Sequence, residues 1–194
     1  MKKERKRTRN SIDSGQIEAY KMLLITLESL MNKKDLKIIA FSCLTDVENK
    51  SKHVFNIAKL MVKEGKRILL LECDSRDSKV NQYFEDLNQE ETNNNLSIQN
   101  LDVLIYGQKV KDTEYVLNTL NITTILEAER NKYDVILIDT PPVGYSADGI
   151  KLCASAEGTV IIMRAGHASV DLSVKAKEML DTVDAKVVGI ILEK

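Results

Sequence analysis

The chain has 194 residues, with 28 Lys and Arg against 29 Asp and Glu and a formal net charge of -1. That length suits one α/β domain with a sizeable core. So even a balance excludes a dedicated nucleic-acid binder, which carries a basic excess or stripe. No apolar run approaches the roughly 20 residues needed to span a bilayer. The N-terminus has no apolar signal-peptide core, and Cys43, Cys73 and Cys153 are dispersed with no CxxC pair. A reducing compartment is expected rather than a disulfide framework or a zinc site, and the protein is expected to be cytoplasmic.

Met1–Arg9 (MKKERKRTR) holds six basic residues and one Glu without apolar periodicity. Residues 1–16 read as a solvated, disordered arm. Each basic residue near an anionic membrane surface adds about 1 kcal/mol of attraction, so the arm suits contact with the inner face of a membrane. Residues 17–194 read as a single domain. Ile17–Met31 has helical apolar spacing, Lys37–Ser42 (KIIAFS) is a buried strand, and Ser51–Lys63 is a helix closed by Gly65. Arg67–Leu71 is a second strand, and Glu85–Gln99, rich in Asn and Glu, reads as a mobile surface loop. Leu101–Ile105 is a third strand, a helix falls between Glu114 and Arg130, and Asp134–Ile138 is a fourth strand. Thr159–Met163, a helix over Val170–Leu180 and Val187–Leu192 complete the pattern. Strands that are apolar throughout are covered by helices on both faces. The fold class is therefore α/β, a doubly wound, mostly parallel sheet in three α/β/α layers, with ligands bound beyond the C-terminal strand ends.

Three polar clusters fall at those ends. Tyr133–Val143 (YDVILIDTPPV) delivers Asp139 at the end of an apolar strand, where a carboxylate can hold the water shell of a phosphate-bound Mg²⁺. Arg67–Arg76 (RILLLECDSR) ends in Glu72 and Asp74, two residues apart, with Arg76 beyond them. Two carboxylates beside a phosphate site suit a magnesium ligand and a base for a hydroxyl; taken alone they read as an exposed acid–base cluster. Leu44–Ser51 (LTDVENKS) occupies the place of a GxxxxGK[ST] loop. Lys50 and Ser51 stand at a helix N-terminus, where the dipole favours an anion. The loop has no glycine. Asn49 stands at the last glycine position and is among the few residues that tolerate positive φ. Val47 is β-branched, and Asp46 and Glu48 add negative charge. Judged alone, this loop reads as a surface turn.

Together, in this order, the clusters resemble the bacterial tyrosine kinases of the capsular and exopolysaccharide family, within the P-loop partition-ATPase superfamily. Asn56-Ile-Ala58, Gly65-Lys66, Leu101–Gly107, Arg164-Ala-Gly166 and Val188–Leu192 resemble further landmarks of that family. The resemblance implies that Lys50 contacts the β- and γ-phosphates of ATP and that Ser51, Glu72 and Asp139 hold Mg²⁺. Asn49, Lys50, Ser51 and Lys52 would bind the nucleotide. Asp74, Lys50 and Arg76 would carry phosphoryl transfer, with Asp74 as base. It also implies a membrane-embedded polysaccharide co-polymerase or kinase modulator as partner, and homo-oligomers.

The departures bear on activity. Val47 and Asn49 replace glycines, and Lys52 replaces the usual Thr. The family's Glu-x-x-Arg-x-x-Arg motif appears as Glu18, Lys21 and Leu24. Its C-terminal tyrosine cluster has no counterpart among six dispersed tyrosines. The sequence therefore reads as a tyrosine-kinase-like protein with weakened or lost autophosphorylation, or as a non-catalytic module docking on the co-polymerase or an active kinase. A partition-type ATPase is a further alternative, against which Thr45 stands where those carry a signature lysine. A dehydrogenase of the Rossmann type is disfavoured because no GxGxxG follows the first strand. His53 and His167 read as structural or solvated, and Cys43 and Cys73 as small buried hydrophobes.

Overall fold

The computed structural model describes residues 14–45, 49–74, 91–92, 95–105, 122–167 and 169–193. The strands are β1 (Ile38–Cys43), β2 (Ile68–Glu72), β3 (Glu91–Thr92), β4 (Asn95–Ile98), β5 (Leu101–Ile105), β6 (Val135–Asp139), β7 (Gly158–Arg164) and β8 (Val187–Glu193). The helices are α1 (Ser14–Lys34), α2 (Lys50–Lys63), α3 (Ile122–Glu129), α4 (Ala147–Ala154) and α5 (Val170–Thr182).

One sheet runs in the order β3-β4-β5-β2-β6-β1-β7-β8. The six strands from β5 to β8 are parallel, and β4 and β3 extend the β5 edge in antiparallel fashion. Alternate side chains feed two cores. Ile39, Phe41, Val135 and Leu137 meet α1 and α2 on one face. Ile38, Ala40, Ile136 and Ile138 meet α3, α4 and α5 on the other. Burial on both faces explains why these strands are uninterrupted apolar runs. Each fully buried Leu or Ile stabilises the fold by about 1.5–3 kcal/mol.

The expected fold class is the observed one, and three local expectations change. First, α1 begins at Ser14 and ends at Lys34, so it takes in residues assigned to the arm and turn. Residues 1–13 lie outside the described residues. Secondly, part of the expected loop over Glu85–Gln99 is strand: Asn95–Ile98 pairs with Leu101–Leu104 through a two-residue turn. The polar composition concealed a hairpin whose turn residue Asn100 takes φ 68°, a conformation asparagine tolerates. Thirdly, α4 had no counterpart in the sequence reading. It is short, and its start is set by Ser146, whose hydroxyl accepts the Gly149 N–H at 3.2 Å. By contrast, the stop at Gly65 is as expected: φ is +87° there, and its N–H donates to Val62 O at 2.9 Å.

This topology creates the functional crevice. β1 lies between β6 and β7; the helix that follows it, α2, covers one face, while α4, which joins β6 to β7, covers the other. Chain segments thus diverge to opposite faces at the C-terminal end of β1, the place where open α/β sheets bind ligands.

Candidate nucleotide site

The residues at that crevice are acidic and buried around one lysine. Lys50 opens α2 with 4% of its surface exposed, and Asp139, the last residue of β6, has 1%. The Lys50 ammonium donates to Asp139 Oδ1 and lies 3.7 Å from Asp74 Oδ2. Burial alone would push the lysine down, but Asp139 and, more weakly, Asp74 hold it above the ordinary lysine range. It is therefore an ammonium in the fold.

Glu72, the last residue of β2, is in register with Asp139 on the neighbouring strand and is 1% exposed; Asp74 is 6% exposed. The reading of an exposed acid cluster is overturned for Glu72 and Asp74. Parallel register carries both strand ends under the loops, and Cys73 N–H donates to Asp139 O at 2.8 Å, tying the two ends together. Three carboxylates and one ammonium are buried at this end of the sheet, and Asp139 Oδ2 is buried without a hydrogen-bond partner among the described residues. An excess of buried negative charge with an orphaned carboxylate oxygen fits a divalent cation. Among the described residues no group of three His, Cys, Asp or Glu side chains could by itself hold a metal ion.

Ser51 and Lys52 lie in the first turn of α2, both partly buried. Asn49 is the N-cap residue at φ -110° and ψ 4°. The expected stand-in for glycine at positive φ is thus not what the backbone adopts, and no left-handed strain arises at this position. Arg76 and the Asp46–Glu48 stretch that includes Val47 lie outside the described residues.

Two features of the site were not anticipated from sequence. One is Gly144, just past the DTPP segment. That segment zips onto β1, with Thr140 N–H on Phe41 O and Val143 N–H on Cys43 O, and a Cβ on Gly144 would lie 2.0 Å from the Leu44 carbonyl oxygen. An isolated glycine after a rigid Pro-Pro turn was the available signal. The other is a pocket of about 280 Å³ between α1, α2 and β8, whose lining includes Tyr20, Asn49, His53 and Glu193. Tyr20 Oη and His53 Nδ1 are 2.6 Å apart, Asn56 donates to Tyr20 Oη at 3.2 Å, and His53 Nε2 lies 3.8 Å from Glu193 Oε1. Burial keeps the His53 ring below the ordinary histidine range. This network is the structural role expected of His53. No spacing in the sequence links Tyr20, His53 and Glu193.

Cys43, Cys73 and Cys153 are buried and not disulfide-bonded. Burial pushes the Cys73 thiol well above its usual range and Cys153 up to about 11, which makes both unreactive. Among the described residues no helix is long and apolar enough to cross a membrane.

A lysine at the start of the helix after a central strand, set against the terminal acid of the adjacent strand, is the arrangement of a P-loop nucleotide-binding protein. A family model described as ATPase MipZ matches residues 38–190, and the chain belongs to that P-loop ATPase family. It is similar to Tyrosine-protein kinase CpsD of Streptococcus agalactiae, with 27% identity over 175 residues, 83% of this chain and 76% of that protein. It is also similar to Tyrosine-protein kinase YwqD of Bacillus subtilis, with 24% identity over 188 residues, 90% of this chain and 79% of that protein. In fold it resembles the kinase domain of Escherichia coli tyrosine kinase ETK, with a TM-score of 0.76 over 100% of this chain and 84% of that one at 18% identity.

Proposed function

We propose that this chain is a tyrosine-kinase-like nucleotide-binding protein of capsule or exopolysaccharide biosynthesis, in which Mg-ATP binding persists and autophosphorylation is weakened or lost. The observation that carries the reading is the buried cluster of Lys50, Asp74 and Asp139 at the ends of β1, β2 and β6.

In the nucleotide-bound protein, Lys50 would turn from Asp139 to the β- and γ-phosphates, and Ser51, Glu72 and Asp139 would hold Mg²⁺. The ion would supply charge neutralisation across the phosphate oxygens. Asn49 and Lys52 would flank the phosphates at the N-terminus of α2. Asp74 would accept the proton of an attacking tyrosine hydroxyl, and Arg76 would stabilise transition-state charge. Two things oppose turnover. Lys50 must leave a desolvated ion pair, and breaking such pairs costs about 3–5 kcal/mol. Asp46 and Glu48 also place negative charge in the stretch expected to receive phosphate.

The partner in this reading is the cytoplasmic portion of a membrane-embedded polysaccharide co-polymerase, with the basic arm Met1–Arg9 adding attraction to the inner membrane face, and the protein working as a homo-oligomer. A docking module that never engages nucleotide is the second reading, favoured by the glycine-free stretch Leu44–Ser51.

Calorimetry with Mg-ATP and Mg-ADP, together with a phosphotyrosine assay, tests the proposal. The expected result is binding with little phosphotyrosine, and a stabilisation of about 2.7 kcal/mol at 100 times the Kd. A melt unmoved by millimolar Mg-ATP would leave the docking module standing, with partner capture then indifferent to Lys50→Ala.

A further inference from the structure

Asn49 is an N-cap residue that does not cap. An asparagine at this position ordinarily accepts the N–H of the second or third helical residue through its side-chain oxygen; here those residues are Ser51 and Lys52. The Asn49 side chain makes no such bond. Its Nδ2 instead donates to Glu193 Oε1 at 2.7 Å, a contact between residues 144 apart in the chain. Glu193 is the last residue of β8, its side chain 18% exposed. It is set beside the His53 ring, which Tyr20 in turn braces from α1. The carboxylate therefore has a fixed place on the sheet, and it draws the carboxamide away from the helix axis.

Asparagine in a glycine position would normally defeat an anion cradle, because its own side chain satisfies the N–H groups that the phosphate needs. We propose that Glu193 is a positioning residue for the phosphate site. By holding the Asn49 carboxamide off the first turn of α2, it keeps the Ser51 and Lys52 N–H groups open to a nucleotide phosphate. The inference rests on the nucleotide-binding reading for its purpose, while the hold itself is a property of the nucleotide-free protein.

Two measurements test it. In the nucleotide-free protein, Glu193→Ala frees Asn49 to cap, so amide hydrogen exchange at Ser51 and Lys52 slows; adding Asn49→Gly returns it to the wild-type rate. Glu193→Gln retains an accepting oxygen and leaves exchange as in wild type. By calorimetry, Glu193→Ala weakens Mg-ATP binding about fivefold, the worth of one cap bond, and Asn49→Gly in that background restores it. A melt of each variant confirms that the fold is retained. Exchange unchanged at Ser51 and Lys52 in Glu193→Ala overturns the proposal, whatever the affinity for nucleotide. A loss of affinity that Asn49→Gly does not rescue overturns it as well, since Glu193 would then act through the fold alone. If wild-type protein binds no Mg-ATP while the exchange pattern follows expectation, the nucleotide reading fails and the hold on Asn49 stands.

Discussion

Lys50 and Asp139, 89 residues apart in the chain, meet as a buried ion pair at the C-terminal ends of β1 and β6, with 4% and 1% of their side chains exposed. In the proposed function a nucleotide's phosphates and their metal would compete for both partners. As it stands, the buried pair is a stability element in its own right.

Removing one partner leaves an uncompensated buried charge. Lys50→Met is expected to destabilise the fold by about 3–5 kcal/mol, read as a lower midpoint in urea unfolding. Combining it with Asp139→Leu should recover part of that loss, since Asp74 still lacks its ammonium partner. A single variant as stable as wild type would show that the pair is not buried in solution.

His53 gives a pH signature. Its folded pKa is held below its unfolded value, chiefly by burial, with the Lys52 charge adding to the effect and Glu193 opposing it. The folded state then binds fewer protons than the unfolded state between the two values. Stability is complete above about pH 6.5, the ordinary histidine value, and declines as pH falls below it. A melting temperature recorded from pH 8 to pH 5 should show this decline, and His53→Gln should flatten it. His167, exposed after β7, serves as the control substitution.

Glu157 acts in a lower window. Burial alone would raise its carboxyl, but the Lys37 and Ile38 N–H groups and the Arg130 guanidinium hold it below the usual carboxylate range. The sign is that of a depressed acid. Its contribution is present above the unfolded value of about 4.3 and is lost as pH falls through the folded value. Glu157→Ala also removes the acceptor of two N–H groups at the start of β1, at a cost of about 1–3 kcal/mol. The check is chemical denaturation at pH 7 and at pH 3, where the difference between variant and wild type should shrink.

Gly144→Ala tests the seat of the phosphate-loop strand. The added Cβ would lie 2.0 Å from the Leu44 carbonyl oxygen, a backbone atom that no side-chain rotation can move aside. Overpacking of this kind costs about 1–3 kcal/mol. The variant should melt lower and show amide shifts at Leu44 and Thr45. An unchanged spectrum at those two residues would contradict the close approach.

Much of the fold was legible in sequence because its cause is local. Runs such as Ile38–Phe41 and Val135–Ile138 are apolar without alternation, and that pattern admits only strands covered on both faces. Gly65 announced its helix stop through the positive φ it adopts. The β4 strand and α4 were not legible. Asn95–Ile98 is a strand because β5 offers an open edge, not because of its composition, and α4 is too short for its apolar period to show.

The same division holds at the site. Sequence by itself determined which groups are present, namely Lys50 and Ser51 at a helix start and Glu72, Asp74 and Asp139 at strand ends, since strand ends and helix starts follow from short-range pattern. Only tertiary structure decided what they do in the nucleotide-free protein. The register of β2 and β6 sets Glu72 beside Asp139, burial turns the surface-looking acids Glu72 and Asp74 into desolvated ones, and the return of β8 brings Glu193 to Asn49. Pairings across 89 and 144 residues are fixed by how the sheet is ordered, and no local pattern encodes that order.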